Sequence, residues 1–201
     1  LGDVYKRQAQ VNSANANGMM SAGYHYAHFS ASRSQAVLEG NYAVSSAKQA
    51  GIVPGYYLAC DYEEGSGNST TQGDGATNAD AILAFMDTVA SAGYKPLLYS
   101  GKEILNKKVD VKKVTAKYGT CLWIASYEYK SGTRLDNPDF GWFPSMDNVA
   151  IWQFTDNWRG LNVDGNISLV DLKTDGKPVA QPSKPVSYTH LRAHEPGRNL
   201  V

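Results

Sequence analysis

The sequence predicts an α/β fold, in which strands and helices alternate around a parallel sheet. Short apolar runs, such as residues 52–60, alternate with segments whose apolar residues recur at helical spacing, such as residues 78–92. Glycines stand where the helical segments should end, at Gly51, Gly93 and Gly119. Alternation of this kind is typical of βα units, whose strands pair in parallel.

The first elements can be placed in chain order from these patterns. Residues 9–20 form a short helix candidate, and residues 22–29 read as the first strand. Residues 34–50 have helical spacing and stop at Gly51, and the apolar run 52–60 is the next strand.

The second half repeats this order and then becomes irregular. The helix expected over residues 78–92 is followed by a strand over 96–100 and a short helix over 111–118. Three further strands are expected over residues 121–127, 149–154 and 167–171. Because few helices separate these last strands, the pattern does not predict a regular barrel of eight βα units.

Composition and charge exclude several classes of protein. The chain has 201 residues, of which 42% are hydrophobic and 11% aromatic, as in a globular domain. It carries 19 basic and 19 acidic residues, without a basic run interleaved with aromatics, so nucleic-acid binding is not expected. No stretch approaches the roughly 18 apolar residues that span a bilayer. Cys60 and Cys121 lack zinc-site spacing and are expected to be buried, with a disulfide between them left open.

The strongest candidate for chemistry is Asp61-Tyr62-Glu63, at the end of the apolar run. Because strand side chains alternate, Asp61 and Glu63 should share one face while Tyr62 points to the other. Two carboxylates held close together push one pKa up and leave the other ionised, which divides acid and base roles near neutral pH. Barrel enzymes keep their chemistry at such carboxyl ends of strands. The pair therefore indicates glycoside cleavage, against the alternative of a solvated strand end that is acidic by chance.

Both ends of the chain look foreign to the fold. Residues 1–8 and 186–201 resemble translated adapter sequence that recurs at the ends of assembled reading frames, so we exclude them from the fold prediction. Residues 9–173 are then the catalytic domain, and the Pro-rich residues 174–185 have the character of a linker.

Six motifs occur in order along the domain: Gly23-Tyr24-His25-Tyr26-Ala27-His28-Phe29, Asp61-Tyr62-Glu63, Leu98-Tyr99-Ser100, Leu122-Trp123-Ile124-Ala125-Ser126-Tyr127, Ile151-Trp152-Gln153-Phe154 and Val170-Asp171-Leu172. Together they resemble the successive strand motifs of the family 25 glycoside hydrolases, the Chalaropsis-type lysozymes of phage endolysins and bacterial autolysins. The resemblance covers residues 9–172. It implies an irregular TIM-like β/α barrel of eight strands and about five helices. It also implies hydrolysis of the bond between N-acetylmuramic acid and N-acetylglucosamine in peptidoglycan.

The resemblance implies roles for individual residues. Glu63 matches the acid that protonates the leaving oxygen, Asp61 matches the carboxylate paired with it, and Asp171 matches another active-site carboxylate. The aromatic residues expected to bind the sugar are Tyr24, Tyr26, Tyr99, Trp123, Tyr127 and Trp152. Core packing is the alternative for any one of them. His25 and His28 are expected to be structural, and neither a metal nor an organic cofactor is implied.

One departure from the family concerns the amino terminus. Members carry a first strand with an Asp, a helix and a second strand before the Tyr-His-Tyr strand, whereas too few plausible native residues precede Ala22. We therefore expect a truncated, impaired chain that lacks one active-site carboxylate. Its expected partner is bacterial peptidoglycan, with no nucleic acid or membrane and a monomeric state. It is expected to act after secretion or release to the cell wall, the signal region not being present in this chain.

Two other functions compete with this interpretation. One is a non-catalytic peptidoglycan-binding protein on the same barrel, which would bind cell walls without releasing reducing sugar. The other is a chitinase-like hydrolase, whose Asp-x-x-Asp-x-Asp-x-Glu strand ends in the same Asp-x-Glu. Tyr56 and Ala59 occupy the places where that pattern needs acids, which discounts it.

Overall fold

The computed structural model describes residues 2–65 and 72–173. The elements in chain order are α1 (Gly2–Ala16), β1 (Gly23–Tyr26), α2 (Arg33–Ala50), β2 (Tyr57–Asp61), α3 (Gly75–Ser91), β3 (Lys95–Gly101), α4 (Lys102–Lys108), α5 (Val111–Tyr118), β4 (Leu122–Ala125), a 3-10 turn (Phe140–Trp142), β5 (Val149–Thr155) and β6 (Gly165–Ser168). The linker and carboxyl-terminal segments expected over residues 174–185 and 186–201 lie outside the described residues.

The six strands form one sheet in sequence order, from β1 at one edge to β6 at the other. Strands β1 to β5 pair in parallel, as the sequence predicts. Strand β6 pairs antiparallel with β5. The carboxyl ends of the first five strands therefore share an edge with the amino end of β6.

The helix boundaries follow from capping residues that can be read in the sequence. Ser32 accepts a hydrogen bond from the Gln35 amide at the start of α2, and Gly51 ends that helix with φ of 88°. Asp74 caps α3 through the Thr77 amide. Helix α4 was not predicted, because it follows β3 directly and Gly101 provides no side-chain cap.

Helix α1 begins earlier than the sequence interpretation placed it. It starts at Gly2, whereas the helix was expected over residues 9–20 with residues 1–8 excluded. The Gln8 side chain donates a hydrogen bond to the Gln49 carbonyl of α2 at 2.7 Å. Part of the segment set aside as foreign therefore contacts the helical layer.

The two faces of the sheet have different surroundings. One face packs against the helices, where Phe85 of α3 is fully buried and stacks on His25 of β1 with ring centroids 5.6 Å apart. By strand alternation and register, the buried side chains on this helix-covered face include Cys60, Leu98, Ile124 and Trp152. The residues between them point to the opposite face, which we call the site face. Because the helices cover the first face, side chains on the site face are the ones that a ligand can reach.

In the described ranges, no helix is long and apolar enough to cross a membrane.

Candidate active site

Sheet register brings four of the predicted site residues side by side on the site face. Asp61 on β2 lies between Tyr26 on β1 and Tyr99 on β3, and Tyr99 in turn pairs with Trp123 on β4. Residues paired in register on parallel strands point to the same face of the sheet. The row therefore places one carboxylate among three aromatic rings, close to the carboxyl edge.

The charges of Asp61 and Glu63 both raise the pKa of Tyr99, which lies within this row. Burial and then the negative charges of Glu63 and Asp61, together with Tyr127, hold the Tyr99 pKa well above its usual range. The two acids also raise the Tyr24 pKa, after burial, to about 12. Tyr62, between the acids in sequence, turns to the other face and donates a hydrogen bond to the Ser30 carbonyl at 3.1 Å. The acids therefore share the site face, as strand alternation predicts.

A third carboxylate at this edge is Asp164, which the sequence interpretation missed. It immediately precedes β6, whose first residue Gly165 pairs with Thr155 at the carboxyl end of β5. Burial and then the nearby Asp156 raise the pKa of Asp164. Asp164 also contributes to the raised pKa values of Tyr24 and Tyr99. The available signal was an acid at the turn before the last strand, in Val163-Asp164-Gly165.

The structure does not bring Asp171 to this edge. Because β6 runs antiparallel, the chain after it travels to the amino ends of the other strands, where the Leu169 amide bonds to the Ala150 carbonyl. Asp171 is exposed there and pairs with Lys173 at 3.2 Å. The resemblance implied a place in the site for Asp171, and the observed direction of β6 instead puts it at the other end of the strands.

Gln153 on β5 links two of the predicted aromatic residues. The hydroxyls of Tyr99 and Tyr127 both donate hydrogen bonds to Gln153 Oε1, at 2.9 Å and 2.6 Å. Gln153 is only 3% exposed. The Trp123 indole is held separately, because its Nε1 donates to Asn166 Oδ1 at 2.8 Å and its ring meets Tyr99 edge-on at 5.1 Å. Sequence reasoning overlooked Gln153, although it lies between two aromatics in the strand motif.

Trp152 is not available to a ligand on the site face. It pairs in register with Ile124, it is 1% exposed, and Phe140 and Phe143 pack edge-on against its ring. Its Nε1 donates to the Ser126 carbonyl at 2.9 Å. The expectation that Trp152 binds sugar is corrected, because alternation on β5 turns Gln153 toward the site and Trp152 away from it.

Tyr26 contacts the backbone that follows Glu63. A Cβ atom on Gly65 would clash with the Tyr26 hydroxyl, so the hydroxyl sits directly against this glycine. The Tyr26 ring also meets His28 edge-on at 5.2 Å. A residue with a side chain at position 65 would displace Tyr26 or the backbone behind Glu63.

The two histidines in the first strand motif are held by one glutamate. His25 Nε2 lies 2.8 Å from Glu39 Oε2, and the same carboxylate oxygen accepts the His28 backbone amide at 2.9 Å. Glu39 belongs to α2, so this contact ties the end of β1 to the helical layer. His25 is thereby held against the helical layer, whereas the His28 ring meets Tyr26 on the strand.

The cysteines are buried free thiols. Burial raises the Cys121 pKa to about 12 and holds the Cys60 pKa well above its ordinary value. Register places them on either side of β3, since Leu98 pairs with Cys60 on one side and with Leu122 on the other. Within residues 2–65 and 72–173, no three His, Cys, Asp or Glu side chains are grouped to hold a metal ion.

The chain is similar to several proteins of phages that infect streptococci. It is 35% identical over 170 residues to a lysozyme of Streptococcus phage Cp-1, covering 85% of this chain and 44% of that protein. It is 33% identical over 185 residues to a D-alanyl-L-alanine endopeptidase of Streptococcus phage B30, covering 92% and 38%. The chain thus spans about two-fifths of the length of these relatives.

A solved structure supports the fold assignment. The modular Cpl-1 endolysin, crystallised with a peptidoglycan analogue, aligns with a TM-score of 0.62 at 34% identity, over 78% of this chain and 41% of that one. The TIM-like α/β fold implied by the strand motifs is therefore confirmed. The family model described as glycosyl hydrolases family 25 matches residues 3–163, so the match starts within the segment that was set aside. The strand motifs, the gathered carboxylates and this match together show that the chain belongs to glycosyl hydrolase family 25.

Proposed function

We propose that the chain is the catalytic part of an N-acetylmuramidase, which cleaves the bond between N-acetylmuramic acid and N-acetylglucosamine in peptidoglycan. The observation that carries the proposal is the gathering of Asp61, Glu63 and Asp164 around Tyr99. Membership of a glycoside hydrolase family supports it. Phage relatives named lysozymes, and a related endolysin solved with a peptidoglycan analogue, point to the same substrate.

Glu63 is the proposed acid. Glycoside cleavage needs a protonated carboxyl that gives its proton to the leaving oxygen, and a second carboxylate that supports the opposite side of the reacting carbon. Glu63 follows the strand end, with intermediate exposure, whereas Asp61 lies deeper and is 6% exposed. A group that must meet both solvent and the substrate oxygen fits the outer position. Asp61 is therefore the supporting carboxylate nearest to it.

Asp164 joins the proposed set of carboxylates in place of Asp171. Its raised pKa favours the protonated form, since it is partly buried beside Asp156. In its ionised form, Asp164 can stabilise the positive charge that develops on the sugar ring.

The aromatic residues of the site face are the proposed sugar contacts. Trp123 is half-buried and fixed by Asn166, so its exposed portion is a rigid surface for the apolar face of a sugar ring. Tyr24, Tyr26, Tyr99 and Tyr127 have intermediate exposure around the carboxylates. Burial and the neighbouring acids keep Tyr24, Tyr99 and Tyr127 protonated, and the protons of Tyr99 and Tyr127 are donated to Gln153.

The test measures reducing ends released from purified cell walls, with free amino groups followed in parallel to detect peptide cleavage. We expect the reducing ends that the parent chain releases to appear without new amino groups. Glu63→Gln keeps the shape but cannot donate the proton, so the rate should fall by about 10²–10⁴. Glu64→Gln is the matched control, since the exposed Glu64 next in sequence should be dispensable.

Two outcomes would contradict the proposal. If the parent chain sediments with walls but releases no reducing ends, it is a binding protein on a hydrolase fold. If Glu63→Gln keeps more than about a tenth of the parental rate, Glu63 is not the acid.

A further inference from the structure

The side-chain amide of Gln153 is hydrogen-bonded through its oxygen but not through its nitrogen. Its Oε1 accepts two phenol hydrogen bonds, from Tyr99 and Tyr127. Its Nε2 makes no hydrogen bond to any residue in the described ranges. For a side chain that is 3% exposed, a free donor is unusual, because buried polar groups are normally paired.

The two phenols determine which way the amide points. Both are kept protonated, since burial and the acids around them hold the pKa values of Tyr99 and Tyr127 well above the usual range. Each phenol therefore has a proton to donate, and a carbonyl oxygen is the acceptor that satisfies both. With the oxygen turned toward the phenols, the amide plane directs the two Nε2 hydrogens to other positions.

The surroundings of that nitrogen belong to the site face. Gln153 pairs in register with Ala125 on β4 and with Asn166 on β6. Asn166 lies two residues after Asp164 and bonds to Trp123. Asn166 Oδ1 is already taken by the Trp123 indole. The charges of Glu63 and Asp164 raise the pKa values of both Tyr99 and Tyr127. The Gln153 amide, which bonds to both phenols, therefore lies among the groups of the proposed active site.

We propose that Gln153 is a substrate-positioning residue, whose Nε2 donates a hydrogen bond to a neutral oxygen of the N-acetylated sugar held at the carboxylates. The inference rests on the proposed muramidase function and names one group that orients the substrate for it. A neutral acceptor fits better than an anionic one, because Asp61, Glu63 and Asp164 make this space acidic. The candidate acceptors are the acetamido carbonyl and a ring hydroxyl.

The experiment measures binding without turnover, in the Glu63→Gln chain of 201 residues. The probes are a peptidoglycan tetrasaccharide and the same tetrasaccharide after chemical removal of its N-acetyl groups, titrated by calorimetry. Gln153→Glu, titrated well above neutral pH so that its carboxyl is ionised, retains an oxygen for both phenols but removes the donor. Gln153→Met removes the donor without adding charge. Thermal unfolding of each variant reports on folding.

We expect both variants to bind the N-acetylated tetrasaccharide about tenfold more weakly, the order of effect of a lost hydrogen bond to a polar site. The loss from Gln153→Met, which adds no charge, separates the missing donor from charge repulsion. Loss confined to the N-acetylated probe identifies the acetamido carbonyl as acceptor, and equal loss with both probes identifies a hydroxyl. If Gln153→Met does not fold, Gln153→Glu decides, because it keeps the phenol contacts.

Unchanged affinity in a folded Gln153→Glu chain overturns the inference and leaves the muramidase proposal intact. Loss of affinity in Gln153→Glu alone, with a folded Gln153→Met binding like the parent, also overturns it. If the Glu63→Gln parent binds neither probe, both proposals fail together.

Tyr99→Phe is the structural control, since it removes one phenol bond but keeps the amide donor. Its affinity should fall less than that of either Gln153 variant, and an equal fall would mean that Gln153 only supports Tyr99.

Discussion

Asp164 and Asp171 flank the same short strand, β6, yet they lie at opposite ends of the sheet's strands. Strand β6 begins with Gly165 opposite Thr155, the last residue of β5, and then runs antiparallel, so that Leu169 bonds to Ala150 near the start of β5. Asp164 is left beside Tyr127 and Tyr99, and Asp171 is left in solvent beside Lys173. The direction of one strand thus decides which acid can join Asp61 and Glu63.

This relationship predicts that Asp164→Asn and Asp171→Asn have very different effects. Asp164→Asn removes a charge close to the reacting sugar and should lower the rate of reducing-end release by about 10²–10³. Asp171→Asn removes an exposed charge and should leave the rate within about twofold, since exposed pairs of this kind contribute little. The measurement is the initial rate on purified walls. The reverse order of effects would return Asp171 to the site.

Asp164→Asn should also change stability in a pH-dependent way. Burial and Asp156 raise the folded-state pKa of Asp164, so its contribution to stability is present below the unfolded pKa of about 3.9 and is lost as pH rises through the folded value. Asp164→Asn removes the free-energy cost of holding an ionised carboxylate in this partly buried place beside Asp156. The variant should therefore unfold at a higher temperature than the parent at pH 7, and the difference should vanish near pH 3. An equal difference at both pH values would contradict this assignment.

Trp123 and Trp142 form a matched pair for the proposed sugar contact. Trp123 is fixed against Tyr99 and Asn166 on the site face, whereas Trp142 is 57% exposed in the 3-10 turn. Trp123→Ala should raise KM for soluble glycan by about tenfold, because a lost aromatic platform is worth on the order of 1–2 kcal/mol. Trp142→Ala should leave KM unchanged. Steady-state kinetics of both variants check this, and equal effects would place the sugar elsewhere.

The two thiols should be unreactive while the protein is folded. Cys60 and Cys121 are buried, and burial raises both thiol pKa values, so the reactive thiolate is scarce at neutral pH. A colorimetric thiol reagent should modify neither cysteine under native conditions and both in denaturant. Reductant should not change the unfolding temperature. Two thiols that appear only after reduction would instead reveal a disulfide.

Local sequence pattern was sufficient for much of this protein. The helices α2, α3 and α5 and the strands β3, β4 and β5 were predicted close to their observed bounds, because caps and apolar spacing act within a few residues. Strands β1 and β2 are shorter than the predicted 22–29 and 52–60. The shared face of Asp61 and Glu63 also follows from alternation within one segment. The order of six motifs, each weak by itself, led to the correct family.

Three features depended on contacts between distant segments. The antiparallel direction of β6 selects Asp164 over Asp171, the helix-covered face removes Trp152 from the site, and the same alternation brings Gln153 between Tyr99 and Tyr127. Alternation determines which residues of a strand share a face, but it does not say which face the helices cover. Nor does a strand's sequence determine its direction in the sheet, because that depends on how the whole chain returns to cover its core. The sequence by itself thus determined the elements and their chemistry, and tertiary packing decided which side chains meet.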